Sequence, residues 1–142
     1  MIRNAMITDA AAIRLLLDQL DYPTEDGFVA GKLPEMMAHP DQELLVYQQG
    51  EDVAGFVSLH FVPQIGLQGA FAIICYFAID KAYRSKGIGA KLEAHCIQLA
   101  KQRKCDRIQV HCHIRREDAH RFYERQGFKE TRKYFTKDLK TS

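Results

Sequence analysis

Apolar side chains recur along this chain at two spacings, and the changes between them outline its elements. "MIRNAM" at the amino terminus reads as a short strand. In "DAAAIRLLLDQL", Ala12, Leu15, Leu16 and Gln19 or Leu20 follow the helical period, with Thr8 placed as the cap. The next stretch, "DYPTEDGFVAGKLPEMMAHP", carries Pro23, Gly27, Gly31, Pro34 and Pro40. A helix there is expected to be short or broken, starting at Thr24 or Asp26 and ending at Pro40. "ELLVYQQGEDVAGFVSLHFV" predicts two strands around a turn of Gly50, Glu51 and Asp52. "GAFAIICYFAID" is almost continuously apolar, which predicts a central strand buried on both faces, followed by a helix from about Gly89 to Arg103.

Alternation then returns. In "DRIQVHCHI", Ile108, Val110, Cys112 and Ile114 share one face, and Arg107, Gln109, His111 and His113 the other. Asp118 is positioned to cap a short helix, "AHRFYERQ", that Gly127 ends, and "RKYFTKDL" reads as a last strand. This order of elements predicts a mixed α/β sheet with helices on its faces.

Composition narrows the picture. With 142 residues and 46% hydrophobic content, the chain suits one domain, residues 1–142, with a single site. A formal charge of +2 from 20 basic and 18 acidic residues leaves no electrostatic footprint for nucleic acid. No basic leader precedes an apolar run, and no apolar stretch reaches the ~18 residues a bilayer requires, so a cytoplasmic location away from membranes is expected. The four cysteines lack CxxC spacing and sit in apolar stretches, as reduced thiols do. The HxH pair of His111 and His113 has zinc-ligand spacing but no third ligand, so no metal is expected.

Candidate chemistry concentrates in "YRSKGIGAKL". A strand ending at Asp80, a loop with Gly87 and Gly89, and a helix starting near Gly89 bring unpaired N–H groups and a positive dipole end together. Arg84 and Lys86 add charge, so a diphosphate is a suitable guest. The spacing is neither a Walker loop nor a Rossmann fingerprint, because Leu92 stands where the third glycine would be. An ordinary glycine-rich turn from strand to helix is the structural alternative.

Together, "FAIDKAYRSKGIGAKL" and "AHRFYERQGF" resemble the GNAT superfamily of acyl-CoA-dependent N-acetyltransferases. The element order agrees over nearly the whole chain, more loosely in its first quarter. The resemblance implies a mixed, mostly antiparallel sheet with helices on both faces and a splayed strand pair that holds acetyl-CoA as co-substrate. The pantetheine arm would bond backbone groups of the segment Phe77, Ala78 and Ile79. The pyrophosphate would sit on Arg84, Ser85, Lys86, Gly87, Ile88, Gly89 and Ala90. The N–H of Ile79 would donate to the thioester oxygen, a contact that strengthens as the tetrahedral intermediate forms. Tyr123 matches the tyrosine that protonates the departing thiolate; apart from the rest of the motif it reads rather as a core tyrosine of an amphipathic helix. Arg125 could meet a nucleotide phosphate or stay solvated.

Two departures stand out. Many members carry a glutamate base two or four residues before the position of Phe77, where this chain has Cys75 and Ile73, and a buried cysteine is a poor substitute. Arg116 stands where many members have an asparagine for pantetheine. His111 and His113, on the polar face of the strand across the cleft, are candidate bases, or else histidines satisfied beneath the last helix. Asp80 most simply terminates its strand.

In the GNAT fold the segment holding Asp18, Asp21, Tyr22, Glu25 and Asp26 would roof the acceptor, where carboxylates favour a cationic amine; on an exposed loop the same acids are solvated charge. "REDAHRFYERQGFKETRKYFTKDL" is similar to aminoalkylphosphonate N-acetyltransferases, and Arg115, Arg116 and Arg132 are cations that a phosphonate would want. The resemblance therefore implies transfer of acetyl to a primary amine, with a small molecule as partner, by direct attack on the thioester. A protein or peptide amine, a silent acyl-CoA-binding module and an aminoacyl-tRNA acceptor are the alternatives. The edge of the last strand could pair two copies in a homodimer, although its basic residues could equally protect it.

Overall fold

The computed structural model describes residues 1–111, 116–132 and 134–140. They divide into two units, Met1–His111 and Cys112–Ser142. In the first unit β1 (Ile2–Asn4), β2 (Gln42–Gln49), β3 (Asp52–Val62), β4 (Phe71–Ile79) and β5 (Arg107–Val110) lie side by side in that order. Neighbours are antiparallel through β4, and β5 runs parallel to β4. The helix α3 (Ile88–Gln102) crosses from β4 to β5, as a parallel pair requires.

Helices cover both faces of this sheet. On one face α1 (Ala10–Gln19) and α2 (Phe28–Ala38) bury Ile13, Leu16, Val29 and Leu33 against Val46, Phe56 and Ala78. On the other, α3 sets Ile88, Leu92, Cys96 and Ala100 against Leu45, Val57, Leu59, Phe61, Ala72 and Ile74. Successive strand residues point to opposite faces, which divides β3 cleanly: Phe56, Ser58 and His60 face α1 and α2, while Val57, Leu59 and Phe61 face α3. No helix among the described residues is long and apolar enough to cross a membrane.

Several elements depart from the sequence-based expectation for definable reasons. Thr8 does not cap α1, because Ile7–Asp9 forms a 3-10 turn and Asp9 takes the preceding position. The Asp9 carboxylate accepts Arg3 Nη1 at 2.8 Å, Arg3 Nη2 at 2.9 Å and the Met6 N–H at 2.7 Å, charge-assisted bonds that a threonine hydroxyl cannot match. The proline-rich segment is an unbroken eleven-residue helix, α2, despite Gly31 and Pro34. Pro34 leaves the Ala30 carbonyl without its helical donor, but Ala30 is exposed and water substitutes. Gly27, at φ 80°, starts that helix in place of Thr24 or Asp26, and it stops before Pro40 as expected.

β4 is not buried on both faces. Ala72, Ile74 and Ala78 are buried, whereas Ile73, Cys75, Phe77 and Ile79 are half-buried and Tyr76 is 38% exposed. An apolar run buries both faces only if neighbours flank its whole length, and among the described residues β5 pairs with β4 only from Phe71 to Ile74.

In the second unit α4 (Glu117–Arg125) ends as expected at Gly127, with φ 91° and the Phe128 N–H returning to the Tyr123 carbonyl at 3.0 Å. Arg116, not Asp118, occupies its cap position; the Asp118 side chain is held by Arg121. The expected last strand is not observed over residues 132 and 134–140. Phe135 and Leu139 are exposed there, so the alternating pattern has no buried face to align it.

Candidate active site

The candidate site grows from an irregularity in β4. Ser58 pairs with Tyr76 but Leu59 pairs with Ile74, so β4 has an extra residue at Cys75, a β-bulge. Pairing of β4 with β5 ends beside it, at Ile74 and Val110. Beyond that point β4 continues to Ile79 against β3 alone among the described strands.

The bulge also sets where the backbone points. Asp80 donates its N–H to the Ala54 carbonyl at 2.8 Å, which makes Asp80 and Ala54 a hydrogen-bonded pair. Such pairs alternate with pairs whose N–H and C=O groups point outward. Ala78 with Phe56 is therefore the next bonded pair, and Ile79 with Gly55 and Phe77 with Val57 turn their amides away from β3. The segment Phe77, Ala78 and Ile79 thus presents its odd-numbered amides on the side opposite β3. Gly55 makes the close approach possible, since a Cβ there would lie 2.7 Å from Ile79 Cδ1 and 2.9 Å from the Ala78 carbonyl.

The chain then turns into α3. Asp80 Oδ1 accepts the Ala82 N–H at 2.9 Å, capping a 3-10 turn at Lys81–Tyr83, so its role is structural as the sequence indicated. Tyr83 donates its hydroxyl to Asp52, and the Lys86 ammonium lies 5.4 Å from the Tyr83 ring centre. Ser85 at φ 64° and Gly87 at φ 80° bend the loop. Gly87 is the residue before α3, and a Cβ on it would touch nothing within 4 Å. Ile88, Gly89 and Ala90 follow as the first helical turn, whose N–H groups have no helical acceptor; Lys91 is the first to bond back, to the Gly87 carbonyl at 3.2 Å. The Ile88 side chain is buried in the core, so its backbone alone is offered to a ligand. Arg84 is partly committed, its Nε donating to the Ile79 carbonyl at 3.1 Å. Six of the seven loop residues predicted from sequence thus surround one helix N-terminus, and the seventh, Arg84, ties that terminus to the end of β4.

On the α1/α2 face the bulge puts Cys75 and Tyr76 side by side, since Cys75 follows the α3-facing Ile74 and Tyr76 is paired with Ser58. Tyr22, from the chain after α1, meets the Tyr76 ring edge-to-face at 5.4 Å. Burial raises the Cys75 thiol and, with Tyr22 and Cys75 beside it, the Tyr76 phenol, so both hold their protons at neutral pH. Asp18, Asp21 and Glu25 are exposed close by in sequence, whereas Asp26 is neutralised by Arg14. Sequence reasoning passed over His60; its signal was a histidine two residues from Ser58 on the apolar-flanked face of "FVSLHF".

His111 is exposed one residue past β5, its N–H 3.5 Å from the Ile74 carbonyl. His113 and Arg115 lie outside the described residues. Tyr123 is buried in the second unit, its ring 5.6 Å from that of Phe128 and 5.3 Å from that of Phe122. Arg125 and Arg132 are exposed and Arg116 half-buried in that unit. Cys75, Cys96 and Cys105 are free thiols. Among the described residues, no three His, Cys, Asp or Glu side chains cluster as metal ligands would.

The mixed sheet, the parallel β4–β5 pair at its edge and the helices on both faces define a GNAT-type fold. Residues 10–128 match the Acetyltransferase (GNAT) family, and the chain belongs to it. It is an acyl-CoA-dependent N-acetyltransferase. Among individual relatives, the aminoalkylphosphonate N-acetyltransferase of Salmonella typhimurium strain LT2 is 29% identical over 144 residues, covering 97% of this chain and 90% of that protein. A crystal structure described as a transcriptional regulator from Bacillus halodurans C-125 superposes with a TM-score of 0.90 at 28% identity, over 98% of this chain and 99% of that one. A GNAT family acetyltransferase from Staphylococcus aureus shares the fold with a TM-score of 0.82 at 22% identity, covering 98% of each chain.

Proposed function

We propose that this enzyme binds acetyl-CoA along Phe77, Ala78 and Ile79 and on the loop of residues 84–90, and moves the acetyl group to the primary amine of a small molecule. The observation that carries this reading is the backbone phase of β4 past its described pairing with β5, which ends at Ile74 and Val110, with the amides of Phe77 and Ile79 turned away from β3. An extended, amide-bearing pantetheine arm completes such an edge as a further strand would. A helix start with free N–H groups and the cations Arg84 and Lys86 suits a pyrophosphate.

In the reaction the neutral amine attacks the thioester carbonyl, an outward amide of β4 stabilises the developing oxyanion, and the C–S bond breaks. Tyr123 gives its proton to the departing thiolate, and the proton that the attacking nitrogen sheds as the amide forms returns to Tyr123. Aminoalkylphosphonates are one acceptor class, supported by the Salmonella relative; simple alkyl amines are another, supported by the exposed carboxylates around Tyr22.

Thiol release from acetyl-CoA by the purified protein, measured across aminoalkylphosphonates, polyamines, aminoglycosides, amino acids and peptide amines, tests the reading. Release with one small-amine class is the expected result. Acetyl-CoA binding without release for any small amine, or release with peptide amines alone, overturns it.

A further inference from the structure

The α1/α2 face carries polar groups that the reaction as described leaves unused. His60 of β3 stands directly across from Gln42 of β2 on one side and Ile73 of β4 on the other. Directly opposed residues share a face with Cβ atoms about 4.5–5.5 Å apart, so His60 adjoins both, and Cys75 and Tyr76 follow on β4. Gln42 is 7% exposed. Its Nε2 donates to Ser58 Oγ at 2.9 Å, while its Oε1 accepts no hydrogen bond from the described residues. A buried acceptor without a donor is destabilising, and His60 is the titratable side chain directly across the ladder from it.

Resting on the acetyl transfer proposed above, we infer that His60 takes the proton of the acceptor ammonium, through water, on the α1/α2 face beside Tyr76. The ammonium N–H bond breaks, its electron pair stays on nitrogen as the nucleophile, and the proton bonds to one imidazole nitrogen. The second ring N–H turns to Gln42 Oε1. After transfer the half-exposed imidazolium returns the proton to solvent.

The surroundings favour this ring over the other candidates. Burial, with His39 nearby, holds His60 below the usual imidazole range, so it is neutral at pH 7 and ready to accept. Cys75 and Tyr76, the other titratable groups on this part of β4, are shifted upward. Asp41 and Glu43 of the β2 side engage Arg103 at the end of α3, and α1 and α2 send the apolar Ile13, Leu16, Val29 and Leu33 into this face. His39, whose Nδ1 accepts the Asp41 N–H at 3.1 Å, is therefore its titratable neighbour from the α2 side.

The test compares wild type, His60→Gln, His60→Ala and His111→Gln with two nucleophiles, 2-aminoethylphosphonate or 1,4-diaminobutane as an ammonium acceptor and hydroxylamine as one already neutral at pH 7.5. For His60→Gln, kcat/KM with the ammonium acceptor at pH 7 should fall about 100-fold. The wild-type acid limb, with an inflection below the ordinary imidazole pKa, should vanish. Activity with hydroxylamine and affinity for acetyl-CoA should stay within about threefold of wild type, and imidazole added to His60→Ala should restore part of the rate. Equal loss with both nucleophiles, an unchanged pH profile, or a selective loss in His111→Gln instead would overturn the role. A wild type that releases thiol with neither nucleophile overturns the parent reading and this one with it, a result distinct from all three.

Discussion

The Asp80 N–H and the Ala54 carbonyl, 2.8 Å apart, set the phase of β4 beyond its described pairing with β5. Before the bulge Ile74 pairs with Leu59; after it Ile79 pairs with Gly55, one residue out of step. Without the extra residue at Cys75, the outward amides would belong to the neighbouring positions and the side chains would exchange faces. A single inserted residue thus decides that Phe77 and Ile79 present backbone, and Tyr76 a ring, at the candidate site.

Gly87→Val should weaken acetyl-CoA binding about tenfold or more, because a β-branched residue at φ 80° is strained by roughly 1–2 kcal/mol and its side chain stands before the helix start. A Cβ there meets no protein atom within 4 Å, so Gly87→Ala should keep the fold intact. Calorimetry on both variants checks this; undiminished affinity in the valine variant would remove the loop from the site.

Tyr123→Phe retains the ring beside Phe122 and Phe128 and removes only the hydroxyl. Turnover should fall about tenfold or more with KM for acetyl-CoA nearly unchanged, the pattern of a lost transition-state contribution. Steady-state kinetics at saturating acceptor decides it, and a normal kcat would make Tyr123 a packing residue.

Asp9→Asn should lower stability by about 1.5–3 kcal/mol, since it weakens the bidentate pair with Arg3 while the Met6 N–H keeps an acceptor. The Arg3 bonds hold the Asp9 carboxyl below the usual 3.8. Its stabilisation is therefore complete above that value and lost as pH falls through the lower folded value. Thermal melts of wild type and variant should converge in acid; parallel curves down to pH 2 would contradict the account.

Glu93 is 8% exposed on α3, with no hydrogen bond or ion pair to a described residue. Burial raises its carboxyl above the usual 4.5. A raised carboxyl favours the folded state below the unfolded pKa, and this advantage is lost as pH rises through the folded value. Glu93→Gln should match wild type near pH 4 and exceed it by about 1 kcal/mol at pH 8, because the neutral amide needs no charge desolvated. Denaturant midpoints at the two pH values check this, and a variant less stable at pH 8 would reveal a partner for the carboxylate.

Local signals were enough for much of this molecule. Helical spacing in α1 and α3, the Gly50 turn and the Gly127 stop were legible because each depends on neighbours within a few residues. The same holds for the loop of residues 84–90, whose glycines and cations adjoin the helix they open. The proline-rich segment misled because Pro34 weakens a helix locally, whereas packing of Val29 and Leu33 onto the sheet sustains α2. Tertiary structure alone decided the bulge at Cys75, the register of β5 on β4, and the meeting of His60 with Gln42 and Ile73. Those features depend on register between strands distant in sequence, and register is settled by which apolar sets the two faces of the sheet bury together.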